Sequence, residues 1–437
     1  MDFIKKASYV FRNKYLGLGI DFINSILIVR YLGSEDYGHY TVLYILPILV
    51  SSIGSLGFGP SIVYHINKIE FQVSRYLGTF TFLGMLLGFI YVSIILLFLT
   101  YIDKVFYDEK LNINLFFISI LFIPLMITQK YLRAIIRGMY KIELFSFFLD
   151  LVAPLSRMIF IIIFILINLG LLGIVCIPII VQSIITLSFF YYLIKNSDLS
   201  YNNLLIGKNE FLKITKFAFK NYLGTAMQKS NDSLIMLIAS TFLTFKEVGI
   251  LSLAMKLLQF IAGISNSALT VLMPKVSKSS IEQIKSYVPK ITSILFSFNI
   301  IFILIYLYFL EDFINIVYGS DFIEIVNFSI PLSIVTIFLP FANILLITLT
   351  FTGDPIKKLY ARGLGLLINL TLFYPLFIMY DAIGFVISIA IGQFIIFLVS
   401  LFFFNNKFKG LKLYRLFIVN INDLKYLFKS LRKQLFS

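Results

Sequence analysis

Long apolar runs, separated by short charged or Gly-, Pro- and Asn-containing breaks, fill the chain from end to end. A helix rises 1.5 Å per residue, so about 20 apolar residues cross the roughly 30 Å hydrocarbon core of a bilayer. By that measure the sequence predicts twelve spans, at 10–31, 38–60, 77–101, 113–132, 145–167, 171–194, 217–241, 248–272, 288–310, 326–350, 360–380 and 382–404. Only a short Gly-containing turn divides the fifth from the sixth, and only an Asp-containing turn the eleventh from the twelfth. The longest connection, Lys195 to Lys216, divides the spans six and six. The expected organisation is a six-helix lobe over 1–194, a cytoplasmic linker over 195–216, a second six-helix lobe over 217–404 and a tail over 405–437. In the tail, Leu424, Leu427, Phe428, Leu431 and Leu435 share one helical face, and Lys425, Lys429, Arg432 and Lys433 take the others. That pattern suits the anionic cytoplasmic lipid surface, or else a solvated end with no role.

Composition narrows the class. The 437 residues are 59% hydrophobic and 14% charged, with a mean hydropathy of +0.94. Soluble domains run at roughly 45–50% and about 25%, and so few charges cannot cover a soluble surface. The chain reads as an all-α, polytopic integral membrane protein. Its net charge of +15 would suggest nucleic acid in a soluble protein; here it is a topology signal. With the N-terminus in the cytoplasm, the cytoplasmic segments and the inner ends of their spans hold 30 of the 37 Lys and Arg. The outer loops hold four (Arg30, Lys104, Lys110 and Lys246) and the spans three. Counting acids as well, the inner segments carry a net +22 and the outer loops −7. A missing or invented span would scramble this alternation, so the positive-inside rule supports the count and puts both termini in the cytoplasm. No nucleic-acid partner is implied.

Other features exclude more than they assign. The N-terminal apolar stretch carries Asp21 and Asn24, runs to Tyr31 and lacks an A-x-A site, so it is expected to be a retained span rather than a cleaved signal. The single cysteine, Cys176, has no disulfide partner, and His39 and His65 lack metal-ligand spacing, so no metal or cofactor is expected. The largest outer loop, Glu311 to Asn327, is an acidic turn with Glu311, Asp312, Asp321 and Glu324.

The chain also repeats itself. An offset of 211 places Tyr31-Leu32-Gly33-Ser34-Glu35-Asp36-Tyr37-Gly38 over Phe242-Leu243-Thr244-Phe245-Lys246-Glu247-Val248-Gly249, and Asp21 over Asp232. Six spans is an even number, so the halves run the same way through the membrane. They form parallel repeats about an axis along the membrane normal, expected to surround a central cavity suited to alternating access.

The stretch ILIVRYLGSEDYGHYTVLYIL resembles the span 1 to span 2 signature of Wzx-type polysaccharide (O-antigen or capsule) flippases. KSNDSLIMLIASTFLTFKEVGILSLAMKLLQF, followed by Ala268 to Pro274, resembles the corresponding seventh and eighth spans. These flippases belong to the multidrug/oligosaccharidyl-lipid/polysaccharide exporter superfamily. Lipid II flippases of that superfamily usually carry two further helices. The resemblance implies movement of an undecaprenyl-pyrophosphate-linked oligosaccharide from the inner to the outer leaflet of a bacterial cell membrane. It further implies H⁺ or Na⁺ as coupling ion, and a polysaccharide polymerase and chain-length regulator as partners. A multidrug exporter, a membrane glycosyltransferase or polymerase, and a scaffold stand as alternatives. A transferase or polymerase would be expected to show a sizeable outer loop or a clustered acid and base set.

An ionisable group deep in a span costs roughly 2.5–3.5 kcal/mol on insertion scales and asks for a reason. Six qualify: Asp21, Asp150, Arg157, Lys229, Asp232 and Lys256. Three of each sign suffice to pair among themselves. Lys229 and Asp232, three apart, suit a pair on one helix or a binding role. Asp150 and Arg157, seven apart, share a face past Pro154 but are too distant for a comfortable bridge. Lys256 continues through Gln259, Gly263 and Asn266/Ser267 as a polar stripe. Lys14, Gly17, Asp21 and Asn24/Ser25 make a second stripe, and Tyr44, Pro47, Ser51 and Ser55 a third. Polar stripes on lipid-embedded helices face protein or water, and these are expected to line one cavity between the halves. Lys256, Lys229 and Arg157 are therefore the candidate cavity cations for a phosphate headgroup. Asp21, Asp232 and Asp150 are the candidate coupling carboxylates. Arg133, Arg137 and Arg362 belong at the cytoplasmic mouth, either to attract that headgroup or as topology alone.

Overall fold

In a computed structural model, residues 2–66, 73–106, 112–196 and 205–419 are described, less the side chains of 2–8, 11, 106, 220–221, 223–232, 264–275, 277–278 and 355. Every regular element among them is helical. In chain order these are α1 (Asp2–Gly54), α2 (Phe58–Ile66), α3 (Val73–Leu97), α4 (Leu99–Phe106), α5 (Ile113–Ile120), α6 (Phe122–Gly138), α7 (Ile142–Ser146), α8 (Ala153–Leu166) and α9 (Gly170–Lys195). Then come α10 (Lys208–Phe242), α11 (Phe245–Lys278), α12 (Ile281–Val317), α13 (Ile325–Phe351) and α14 (Pro355–Lys407).

Among the described residues, eight helices are long and apolar enough to cross a membrane. Two of them, Arg12–Gly54 and Ile356–Lys407, have 43 and 52 residues. At 1.5 Å per residue, each is more than twice the roughly 30 Å hydrocarbon core. Each is also broken. Gly33 interrupts α1 with φ 74° and ψ −176°, and Asp381 interrupts α14 with φ 50° and ψ −139°. Both breaks fall where the sequence predicts a turn between spans, so α1 and α14 each carry length for two crossings. Asn168 (φ 59°) and Gly170 (φ 58°) likewise divide α8 from α9. The acidic outer turn expected from Glu311 is shorter than the sequence suggests, because α12 continues to Val317 and a 3-10 turn, Ser320–Phe322, leads almost directly into α13.

The chain forms two compact units, Met1–Gly249 and Ile250–Ser437. In the first, α6 is the buried centre: Ile123, Ile127, Tyr131, Leu132 and Ile135 are fully covered. Gly84 and Gly88 let α3 approach it closely, for a Cβ on Gly84 would lie 2.7 Å from Thr128 Oγ1 and one on Gly88 would overlap Pro124. The carbonyls at and just past the end of α1, where helix bonding runs out, accept from four side chains, two of them (Ile53 O and Ser55 O) in addition to a turn N–H. Lys130 Nζ donates to Ser51 O (2.8 Å), Tyr222 Oη to Ile53 O (2.8 Å), Tyr91 Oη to Gly54 O (3.4 Å) and Tyr131 Oη to Ser55 O (3.1 Å). The start of α10 is fastened to the same unit. Tyr76 donates to Glu210 (2.7 Å), Ser61 to Ile214 O (2.7 Å), and Phe58 stacks on Phe211 at 6.1 Å.

The second unit is built on Ile284 and Val288 of α12, Phe341, Leu345 and Leu349 of α13, and Ile396, Phe397 and Phe404 of α14. The chain then folds back. Phe408 and Leu416 are buried in this core, Phe417 meets Phe296 edge-on at 5.4 Å, and Lys285 Nζ donates to Lys409 O (2.7 Å). The amphipathic face expected over Leu424–Leu435 lies outside the described residues.

Gly33 sits in a region of backbone space open essentially to glycine alone, where another residue costs of order 1–3 kcal/mol. Gly33→Ala should therefore lower the unfolding temperature in detergent. Gly59→Ala, where an added methyl meets nothing within 4 Å, should leave it unchanged or raise it slightly.

Candidate functional site

One proline organises the polar centre of the first unit. Pro154 has no N–H, so the carbonyl four residues earlier, that of Asp150, gets no i+4 hydrogen bond. The backbone widens there into a π-turn, Phe147–Val152, between α7 and α8, with Ala153 N–H bonding Phe148 O. Such turns are rare and cluster at functional sites. The released Asp150 carbonyl lies against Gly17 of α1, where a Cβ would overlap it. Asn24 Nδ2 donates to Pro154 O at 3.0 Å, so α1 and α8 are joined on both sides of the widened turn.

Between these contacts, Arg157 of α8 forms an ion pair and hydrogen bond with Asp21 of α1, and Asn24 Nδ2 also approaches Asp21 at 3.4 Å. Two opposite charges deep in a span thus meet across helices. The side chains stay about a third exposed, 34% and 32%. Asp150 does not pair with Arg157. Its carboxylate accepts from Ser146 Oγ at 2.7 Å, within electrostatic range of Lys14 and Arg133. Arg137, one turn on from Arg133, lies over the Phe145 ring at 5.2 Å. Tyr40 lies within electrostatic range of Arg157 and Asp21, and its ring packs at a tilt against Tyr37 (6.2 Å) and Tyr44 (5.5 Å).

The two stripes on α1 have partners other than the cavity expected of them. Lys14, Gly17, Asp21 and Asn24 face the π-turn and α8. Tyr44 donates to Val175 O of α9 (2.5 Å), Ser51 to Met126 Sδ (2.9 Å), and Ser51 and Ser55 carbonyls accept from α6. Both stripes are seams inside the first unit. In lipid such a stripe need only avoid hydrocarbon, and a neighbouring helix serves as well as water.

The second unit holds Lys256, half-buried on α11, and Arg362 on α14. Arg362 is only 7% exposed and donates to Asn343 of α13 at 2.6 Å. Lys229 and Asp232 are on α10, but their side chains lie outside the described residues, as do Asn266 and Ser267. The sequence reading missed Ser146 and Tyr40; the spacing Asp150-x-x-x-Pro154 is the signal that marks the π-turn. At the other end of α13, Asp354 accepts from Lys357 (3.0 Å) and Lys407 (2.8 Å). Those two cations hold its carboxyl below the usual carboxylate value.

This helical fold is similar to that of several solved membrane transporters. The lipid II flippase MurJ in an inward closed conformation superposes with a TM-score of 0.78 over 97% of this chain and 92% of that one, at 16% identity. An inward-facing multidrug resistance MATE family transporter gives 0.72 over 90% and 94% at 14% identity. A MOP superfamily transporter from Pyrococcus furiosus gives 0.66 over 93% and 96% at 15% identity. A family model described as polysaccharide biosynthesis protein matches residues 3–280, and the chain belongs to that family. No curated protein matches it.

Two outcomes follow. Arg157→Gln and Asp21→Asn should each lower thermal stability in detergent, and the double variant should lose less than the sum, with a coupling of about 0.5–3 kcal/mol. For Asp354, a folded-state pKa below the unfolded one means stabilisation that is present above the ordinary carboxylate value of 3.8 and is lost as pH falls through the lower folded value. The gap in unfolding temperature between the native protein and Asp354→Asn should hold from pH 8 down to about 4 and close only below it.

Proposed function

We propose that the protein is a flippase that carries an undecaprenyl-pyrophosphate-linked oligosaccharide from the cytoplasmic to the outer leaflet of a bacterial cell membrane by alternating access. Both termini are then cytoplasmic, and a polysaccharide polymerase and chain-length regulator act downstream. The observation that carries this reading is the Arg157–Asp21 pair, set within apolar helices of a polysaccharide biosynthesis family chain and still a third exposed.

The pair suggests how ion and substrate exchange. With no substrate, Arg157 and Asp21 neutralise each other, which keeps both charges tolerable in the membrane. An anionic headgroup competes with Asp21 for the guanidinium. The released carboxylate then binds H⁺ or Na⁺. Headgroup and ion thereby favour each other's binding, as linkage requires. The polyprenyl tail stays in lipid, and no covalent step is needed. Lys256 and Lys229 add positive charge along the path, Asp150 and Asp232 are further ion sites, and Arg133, Arg137 and Arg362 draw the headgroup from the cytoplasm. With the cell interior negative, outward movement of an anion gains roughly 2.3 kcal/mol per charge per 100 mV. Release of headgroup and ion outside lets Arg157 and Asp21 pair again, and the empty carrier returns with that pair neutral.

Glycan export, with protein level checked in the same cells, tests the reading. Asp21→Asn and Asp232→Asn, alone and together, should lower export roughly ten-fold or more and flatten its dependence on H⁺ or Na⁺. Lys256→Ala should lower export at normal protein level. Unchanged export in all of them, or resistance to cationic drugs conferred with no effect on glycan, would replace this reading with a multidrug exporter.

A further inference from the structure

The predominantly apolar run 382–404 gives way to Asn405-Asn406-Lys407, and beyond α14 the backbone folds back as a short hook. Gly410, at φ 86°, makes the reversal, and a 3-10 turn, Leu413–Leu416, follows it. One side of this hook belongs to the core of the second unit. Phe408 and Leu416 are fully covered, and the Phe417 ring packs against those of Phe296, Phe341 and Phe397 at 5.4, 5.2 and 6.2 Å. Lys285 of α12 donates to the Lys409 carbonyl at 2.7 Å and pins the reversal.

The other side has a different chemistry. Lys409, Lys412 and Arg415 are exposed there, and beside them Tyr414 and Ile418 stay 53% and 66% exposed. Lys412 caps the 3-10 turn and Arg415 is its third residue. Side chains three apart eclipse in such a turn, so the two bases share one row. No acid occurs between Asp381 and Asp423, so the hook supplies nothing of its own to offset them. Bases mixed with a tyrosine and an aliphatic side chain suit the boundary of a bilayer. There the ring sits at headgroup level, and basic side chains lay their stems along apolar surface while reaching for phosphate. The hook also stands where a spanning helix ends, at the surface that the positive-inside pattern predicts to be cytoplasmic.

We infer that residues 409–418 form a binding surface for anionic phospholipid. Phosphates of the leaflet beside the end of α14 pair with Lys409, Lys412 and Arg415, while Tyr414 and Ile418 enter the layer between headgroups and acyl chains. The core contacts of Phe408, Leu416 and Phe417 set the row in place beforehand, so lipid meets a formed surface and little ordering is left to be done on binding. This surface is separate from the amphipathic face over Leu424–Leu435. It stands without the transport reading, since it requires only that α14 end at a membrane surface.

The chain contains no tryptophan, so Tyr414→Trp gives the full-length protein a single indole on the exposed side of the hook. The protein is placed in nanodiscs of equal phosphatidylglycerol and phosphatidylcholine, with bromine high on the acyl chains of one lipid or the other. Brominated phosphatidylglycerol should quench the indole at least two-fold more than brominated phosphatidylcholine, and adding Lys409→Gln, Lys412→Gln and Arg415→Gln together should make the two equal. Thermal unfolding in detergent should be unchanged by the triple substitution, whose side chains lie outside the core. Without any further substitution, about 1 M salt, where the screening length is about 3 Å, should also bring the two lipids toward equality. Lys425→Gln, Lys429→Gln, Arg432→Gln and Lys433→Gln in the tail should leave the preference in place. Equal quenching with all three hook bases present, a preference that salt does not reduce, or one that survives the triple change and vanishes with the tail changes overturns the inference. Weak quenching by both lipids overturns it as well, and would turn the hook toward water and an acidic soluble partner.

Discussion

Hydrocarbon offers no hydrogen-bond partner, and that constraint orders everything polar in this protein. Each break in a spanning helix frees backbone groups, and each must be answered by a neighbour. At Pro154 the Asp150 carbonyl, without its i+4 donor, lies against the bare face of Gly17, and Asn24 donates to the Pro154 carbonyl. The two charges nearest this defect, Asp21 and Arg157, answer each other. The feature that weakens α8 as a helix is thus the one that docks it to α1 and sets up the ionic centre.

A site of this kind is stable without being locked. A deeply buried pair stripped of water would be held too firmly to exchange partners, and a fully solvated one would be worth almost nothing. One-third exposure lies between those limits. On the proposed flippase reading, that exposure lets an incoming anion compete for Arg157 while the apolar surroundings keep the uncompensated state costly. On the same reading, selectivity for a lipid-linked headgroup needs that difference in cost, because only differential interaction with two states can move an equilibrium.

Hydropathy made most of the architecture legible. The predicted turns at 32–37, 168–170 and 381 coincide with Gly33, Asn168, Gly170 and Asp381, because a chain that must reverse at a membrane surface concentrates its special backbone geometry there. Pairing across helices was not legible. Asp21 and Arg157 are 136 residues apart, and nothing in one sequence says that α1 and α8 are neighbours. Helical spacing showed that Lys14, Gly17, Asp21 and Asn24 share a face; it could not tell a helix partner from a cavity, since either removes polar groups from lipid. Asp150 and Arg157 looked related by a regular helix, and the extra residue of the π-turn changes that register.

The four donors at the end of α1 have a mechanical consequence. Lys130, Tyr131 and Tyr91 come from elements that pack closely together, but Tyr222 belongs to α10 and holds Ile53 O through one hydroxyl. A single O–H···O bond tolerates wide rotation about its axis and very little change in length. Sliding α10 along α1 would break this bond, at a cost of about 0.5–1.5 kcal/mol, although Ile53 O keeps its turn bond from Leu56 N–H. Tyr222 is therefore a pivot that resists slipping of α10 more than it resists tilting.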